Sequence, residues 1–157
     1  MKTKLILIVL SIFSLSVFAQ NVNVPKKVHE QFMKLYPKTK EVKWTKESKD
    51  EFEAEFKENG KSVSVVMNTE GELKETETKI DIKDLPSSVE LFVMKDYKDY
   101  KITEAAKIID AKGVLTYEAE ISKGKEKEDL LFDKDGKSIV KKMEKSESEE
   151  KEDEDGD

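Results

Sequence analysis

The chain has no cysteine, no arginine, one histidine, one tryptophan and three prolines among its 157 residues. Without cysteine there is no disulfide framework, no thiolate nucleophile and no site for a lipid on a mature N-terminal Cys, so core packing must hold the fold together. All 29 basic residues are therefore lysine, which carries a point charge and lacks the planar fork used for bidentate phosphate or carboxylate recognition. The lone His29, with no second histidine or any cysteine, cannot head a typical zinc site or a catalytic triad, and it reads as a partly exposed helix residue. Glycine-rich phosphate loops are absent, and no grouping of nucleophile, base or metal ligands is visible. The reading is of a protein that is not an enzyme, with no catalytic residues, no cofactor and no metal.

Long hydrophobic runs are also scarce, and the one present is at the start. Lys2 and Lys4 precede an apolar run from Leu5 to Phe18, closed by Val17-Phe18-Ala19. This is the layout of a secretory signal peptide over residues 1–19, too short for a convincing membrane span. It predicts a mature chain starting at Gln20, periplasmic or secreted, with no stable membrane anchor after cleavage. At the other end, residues 144–157 carry nine acids and two lysines and no apolar residue, a composition that predicts a disordered acidic tail. Without both termini the body of residues 20–143 is nearly neutral, about -1 from the formal -6 of the whole chain. A nucleic-acid partner is excluded on charge.

Inside the body the chain repeats itself. "FEAEF" at Phe52–Phe56 returns as "YEAEI" at Tyr117–Ile121, and the flanks return in order: "VPKKVHEQFMKLY" from Val24 over "LPSSVELFVMKDY" from Leu85, "EVKW" over "AAKI", "ENGK" over "SKGK", and "VVMNTEG" over "LLFDKDG". A conserved order of blocks points to two copies of one unit, at 24–80 and 85–143. Pro25 and Pro86 suit a first helical turn, Ser87 or Ser88 suits a cap, and Pro37 ends the first helix. Val28, Phe32, Leu35 and Tyr36, and again Val89, Val93 and Tyr97, recur at helical spacing. The period then changes to two: Phe52, Ala54 and Phe56, like Tyr117, Ala119 and Ile121, alternate with Glu53, Glu55, Glu118 and Glu120. Asn59-Gly60, Glu70-Gly71 and Asp135-Gly136 mark tight turns. The expectation is α+β: two tandem units, each a helix plus a four-stranded antiparallel meander, forming one sheet of about eight strands with two helices on one face.

A Leu/Val-Pro opening a helix that ends in Tyr, a "YEAEI"-like strand, a Gly-Lys turn and a strand closing on "DKDG" together resemble the PepSY-like family of bacterial envelope proteins. That family is similar in fold to β-lactamase-inhibitor protein. The resemblance spans nearly all of Val24 to Met143, implies no catalytic residues, and implies by analogy of fold a link to binding or inhibiting peptidases.

Two function classes follow. In one, the chain is an exported protein-binding module whose solvated sheet face, bearing Glu53, Glu55, Val66, Glu118, Glu120 and Leu131, meets a protein partner. Glu53 and Glu118 are expected to face water, and Val66 and Leu131, at matching places in the two units, to form an apolar patch. In the other, the chain is an acidic cation-associated or solubilising envelope protein acting through its tail. "DKDGK" at Asp133–Lys137 reads as a hairpin turn rather than a calcium loop, Trp44 as a core residue, and Lys101, Lys107 and Lys141 as guards of open sheet edges.

Overall fold

The computed structural model describes residues 22–139. The expected signal peptide, the start at Gln20, the acidic tail and Lys141 lie outside the described residues. Helix α1 (Lys26–Leu35) is followed by strands β1 (Val42–Lys46), β2 (Glu51–Glu58), β3 (Lys61–Asn68) and β4 (Leu73–Ile80). A 3-10 turn at Ile82–Asp84 leads to helix α2 (Ser87–Asp96) and strands β5 (Lys101–Asp110), β6 (Leu115–Lys123) and β7 (Glu126–Asp133). The strands form one antiparallel meander in chain order, β1 to β7.

This corrects the expectation of two helix-plus-four-strand units and about eight strands: the fold is a single seven-stranded sheet with two helices. Among the described residues four strands follow α1, but three follow α2. Past β7, Ser138 makes an isolated bridge with Phe132, and the Ile139 N–H donates to the Leu131 carbonyl at 2.9 Å. Leu73–Ile80 is held by ladders to both β3 and β5, whereas after β7 the Asx turn at Asp133 leads, among the described residues, only to the Ser138 bridge and the single Ile139 bond. Lys101 and Lys107 also lie in β5, an interior strand, so they guard no edge.

Both prolines sit one residue before their helix rather than in its first turn. Pro25 (φ -56, ψ 139) and Pro86 (φ -55, ψ 136) are extended, with no side-chain cap on either helix, and the His29 and Val89 amides donate to the two proline carbonyls. Ser88, expected as a cap, donates instead to the carbonyl of Asp135 at 3.0 Å. Each helix closes on a tyrosine whose amide returns to the preceding turn, Tyr36 to Phe32 and Tyr97 to Val93. The 3.6 periodicity puts Val28 and Phe32, and Val89 and Val93, fully inward.

The two helices cover the same face of the sheet. Register shows this directly, because Phe56, Val63, Thr78, Lys107, Tyr117 and Phe132 pair in one continuous row from β2 to β7, and paired residues share a face. Under α1 a cluster forms from Phe52, Ala54, Phe56, Val63, Val65 and Met67; under α2 another forms from Ala119, Ile121, Leu130 and Phe132. Trp44 is partly buried against the first cluster, edge-on to Phe32 at 5.2 Å, and His29 is exposed with its ring 6.4 Å from Trp44.

Hairpin turns lock the helices in place. Asn59 and Gly60 both take positive φ (50° and 82°), the two-residue turn that matches strand twist. At the turns after β3 and β7, Gly71 and Gly136 also have positive φ, and they press against α1 and α2. A Cβ on Gly71 would lie 2.7 Å from Gln31 Cγ, and one on Gly136 would lie 2.1 Å from Ser88 Oγ and 2.8 Å from Pro86 Cβ. Lys27 reaches over the first of these turns to Glu70 at 2.5 Å. Gly60→Ala should therefore cost only its backbone strain, roughly 1 kcal/mol, since no heavy atom lies within 4 Å of the new Cβ. Gly136→Ala should cost measurably more in urea unfolding, because Pro86 is rigid and must move. Equal midpoints for the two variants would show that the helix does not seat on the turn.

Candidate functional site

The face away from the helices carries every other residue of each strand. By register, Glu53 pairs with Val66, Glu55 with Ser64, Glu118 with Leu131 and Glu120 with Asp129. All six residues singled out from the sequence, Glu53, Glu55, Val66, Glu118, Glu120 and Leu131, therefore lie on this one open face. They are not brought together as a single group. Val66 is on β3 and Leu131 on β7, four strand spacings apart or about 19 Å, so the expected Val66–Leu131 patch does not form. Nor does Glu118 face water as expected: it is 8% exposed, placed between Ala106 and Leu131. In the interior of a wide sheet, side chains on strands under 5 Å apart cover one another.

The acids divide into two kinds. One set is held by lysines and hydroxyls. Glu55 binds Lys43 at 3.1 Å; Glu53 accepts from Thr45 at 3.0 Å and from Ser64; Glu120 accepts from Lys127 at 3.0 Å and Thr103 at 2.6 Å. Burial pushes the Glu120 carboxyl up, but the Thr103 and Lys127 hydrogen bonds outweigh it and hold the group below its ordinary value. A second set is raised instead. Glu77 on β4 is pushed up to about 8, first by burial and then by Glu118, Glu75, Glu53 and Asp129. Asp129 on β7 is pushed up to about 6 by burial and by Glu120, against the pull of Lys127. Glu75 is raised by burial and by Glu47 and Asp110, and Glu47 by burial and by Glu53.

Glu77, Glu118, Glu120 and Asp129, with Lys79 and Glu104, border a hollow of about 20 Å³. That is room for one water molecule and too little for an organic substrate. Lys79 and Glu104 close one side as an ion pair at 2.6 Å. Among the described residues no group of three or more His, Cys, Asp or Glu is arranged to hold a metal. The "DKDGK" segment is an Asx turn, in which Asp133 Oδ1 accepts the Asp135 and Lys137 amides at 2.9 Å; Asn68 and Asp110 do the same at their own turns. Chemically the face offers charge and area, with no assembled nucleophile or base.

Glu77 and Asp129 were missed from the sequence. Glu77 lies in "KETETK", where no apolar residue marks a buried face, and its setting follows only from the register that places it opposite Ser64 and Ile108.

No family model and no curated protein matches the chain. Solved structures do match it. A candidate periplasmic protein from Bacteroides eggerthii aligns with TM-score 0.67 at 19% identity, over 74% of this chain and 86% of that one. A DUF2874 family protein from Bacteroides uniformis gives 0.65 at 20%, over 74% and 86%. A BLIP-like protein from Bacteroides fragilis gives 0.60 at 21%, over 74% and 84%. The fold is BLIP-like. These likenesses show the fold alone and do not reach the PepSY-like assignment. No helix among the described residues is long and apolar enough to cross a membrane.

A pH dependence follows from Glu77. An acid whose folded value is raised binds more protons folded than unfolded, so its contribution is fully present below the unfolded value of 4.5 and is lost as pH rises towards about 8. Thermal stability should fall across that window, by up to about 1.4 kcal/mol per pH unit from this one group. In Glu77→Gln the decline between pH 6 and 8 should flatten, leaving the variant more stable than the parent at pH 8. Parallel melting curves for variant and parent across that range would contradict the assignment.

Proposed function

We propose that the protein is an exported, non-catalytic binding module that receives a protein partner on the open face of its sheet. One observation carries this reading: the helices occupy one face of a seven-stranded sheet, and the other is left uncovered with Val66, Ile108 and Leu131 set among acids. A wide, mixed polar and apolar surface of this kind suits protein association better than small-molecule binding. The BLIP-like and candidate periplasmic neighbours support a binding role and export, and the signal-peptide pattern over residues 1–19 supports the same compartment. A partner surface carrying positive charge complements this acidic face, on which Glu77, Glu118 and Asp129 lie around one hollow.

Val66→Lys with Leu131→Lys tests the reading. Each lysine enters next to an acid, Glu53 and Glu75 for Val66 and Glu118 for Leu131, so the fold is kept. Photo-crosslinked capture of envelope proteins should be lost in this variant while its melting temperature stays within a few degrees of the parent's. A control pair, Leu91→Lys with Met94→Lys on the outer surface of α2, should capture normally. Undiminished capture by the sheet variant, or loss in the helix variant alone, would move the binding site off this face.

A further inference from the structure

A second surface lies at one corner of the sheet and shares Glu55 and Lys43 with the open face. At the β1 edge, where β2 turns into β3, a groove of about 740 Å³ is floored by Val42, Phe56 and Val63 and rimmed by Lys38, Lys40, Lys43 and Lys57. Four lysines there face two glutamates, Glu41 and Glu55, and only Lys43 is in an ion pair, with Glu55. Lys57 donates to Ser62 at 2.7 Å. Among the described residues no ion pair uses Lys38 or Lys40. The groove is thus a concentration of positive charge on a chain whose net charge is -6.

We propose that the acidic C-terminal segment, residues 144–157 of the same chain, docks in this groove. Charge complementarity is the first argument. The segment carries nine acids and two lysines, a net charge opposite in sign to that of the groove lining. Position is the second. The chain leaves the sheet at Ser138, which bridges Phe132, and Phe132 belongs to the row that runs through Tyr117, Lys107 and Thr78 to Val63 and Phe56 on the groove floor. Exit and groove are therefore level across the sheet, five strand spacings or about 24 Å apart. Length is the third. Residues 140–157 span up to roughly 60 Å when extended, so the acids from Glu147 onward are far enough along the chain to reach the groove. Tethering makes the contact intramolecular, which raises the local concentration of the acids about the lysines to the millimolar range. Surface ion pairs are weak singly, so the contact depends on several acting together and is sensitive to salt.

Zero-length carbodiimide crosslinking of the purified protein, read by mass spectrometry, tests this without any substitution. Crosslinks from carboxylates of residues 144–157 should fall on Lys38, Lys40 and Lys57 within monomers. They should exceed those to Lys95 and Lys98, exposed at the end of α2, on the order of tenfold, as expected for a docked tether. The preference should disappear at about 0.5 M salt, where screening is nearly complete within a few Å. Crosslinks spread evenly over the exposed lysines, a preference for Lys95 and Lys98, or groove crosslinks confined to dimers would each overturn the proposal. None of these outcomes bears on the open face, so this test and the capture experiment stand or fall separately.

Discussion

The ladder between β4 and β5 holds the molecule in one piece. Of the two hydrophobic clusters, one draws only on α1 and the strands before Ile80 and the other only on α2 and the strands after Lys101. Between them the helix-side residues are Thr76, Thr78, Lys107 and Ile109, with Ile80 and the buried Ala105 at one end, which supply less apolar area than either cluster. Six residue pairs, from Glu75–Asp110 to Ile80–Ala105, bridge the gap through the backbone. Each such hydrogen bond contributes about 1 kcal/mol net, and together they carry a junction that side-chain packing does not. A backbone ladder makes no demand on side-chain chemistry. That is why β4 can read "LKETETKI" and still lie at the centre of the sheet.

The same ladder sets up the chemistry of the open face. Placing a polar strand in the middle of seven puts Glu77 as far from either edge as the sheet allows, where Glu75, Glu118 and Asp129 are its company and the nearest lysine, Lys79, is bound to Glu104. Glu53, Glu55 and Glu120 have lysines or hydroxyls against them. Glu77 and Asp129 instead are held towards their neutral forms by burial and like charge. Local partners, rather than residue type or rank in the sheet, separate the two behaviours.

What the sequence made legible follows from this. The two helices were readable because a proline and a tyrosine bracket each apolar stripe, and the inward face of β2 and β6 because Phe52, Ala54 and Phe56, and Tyr117, Ala119 and Ile121, alternate with acids. The eighth strand was over-read because likeness between the halves was projected past β7, where the described residues make an isolated bridge at Ser138 rather than a ladder. Alternation also shows which face a residue takes without showing how many strands lie beside it. Glu118 reads like Glu53 in its string, yet it is buried between Ala106 and Leu131 while Glu53 is held by Thr45 and Ser64. Val66 and Leu131 occupy matching places in the two halves, and for that very reason they lie about 19 Å apart, since the halves stand side by side in one sheet.

Acids crowded on a half-buried surface cost stability, and nothing in the fold requires them there: glutamine or threonine would fill the same pleat without the desolvation. Costs of this kind are tolerated where a surface has work to do, and here they fall on the face the helices leave uncovered. The distribution of lysine sharpens the point. The groove lysines gather at the β1 edge, whereas the open face sets its lysines, Lys43, Lys79 and Lys127, against its own acids. With nine acids beyond residue 143, a segment of that sign finds its complement among the groove lysines rather than among the crowded acids.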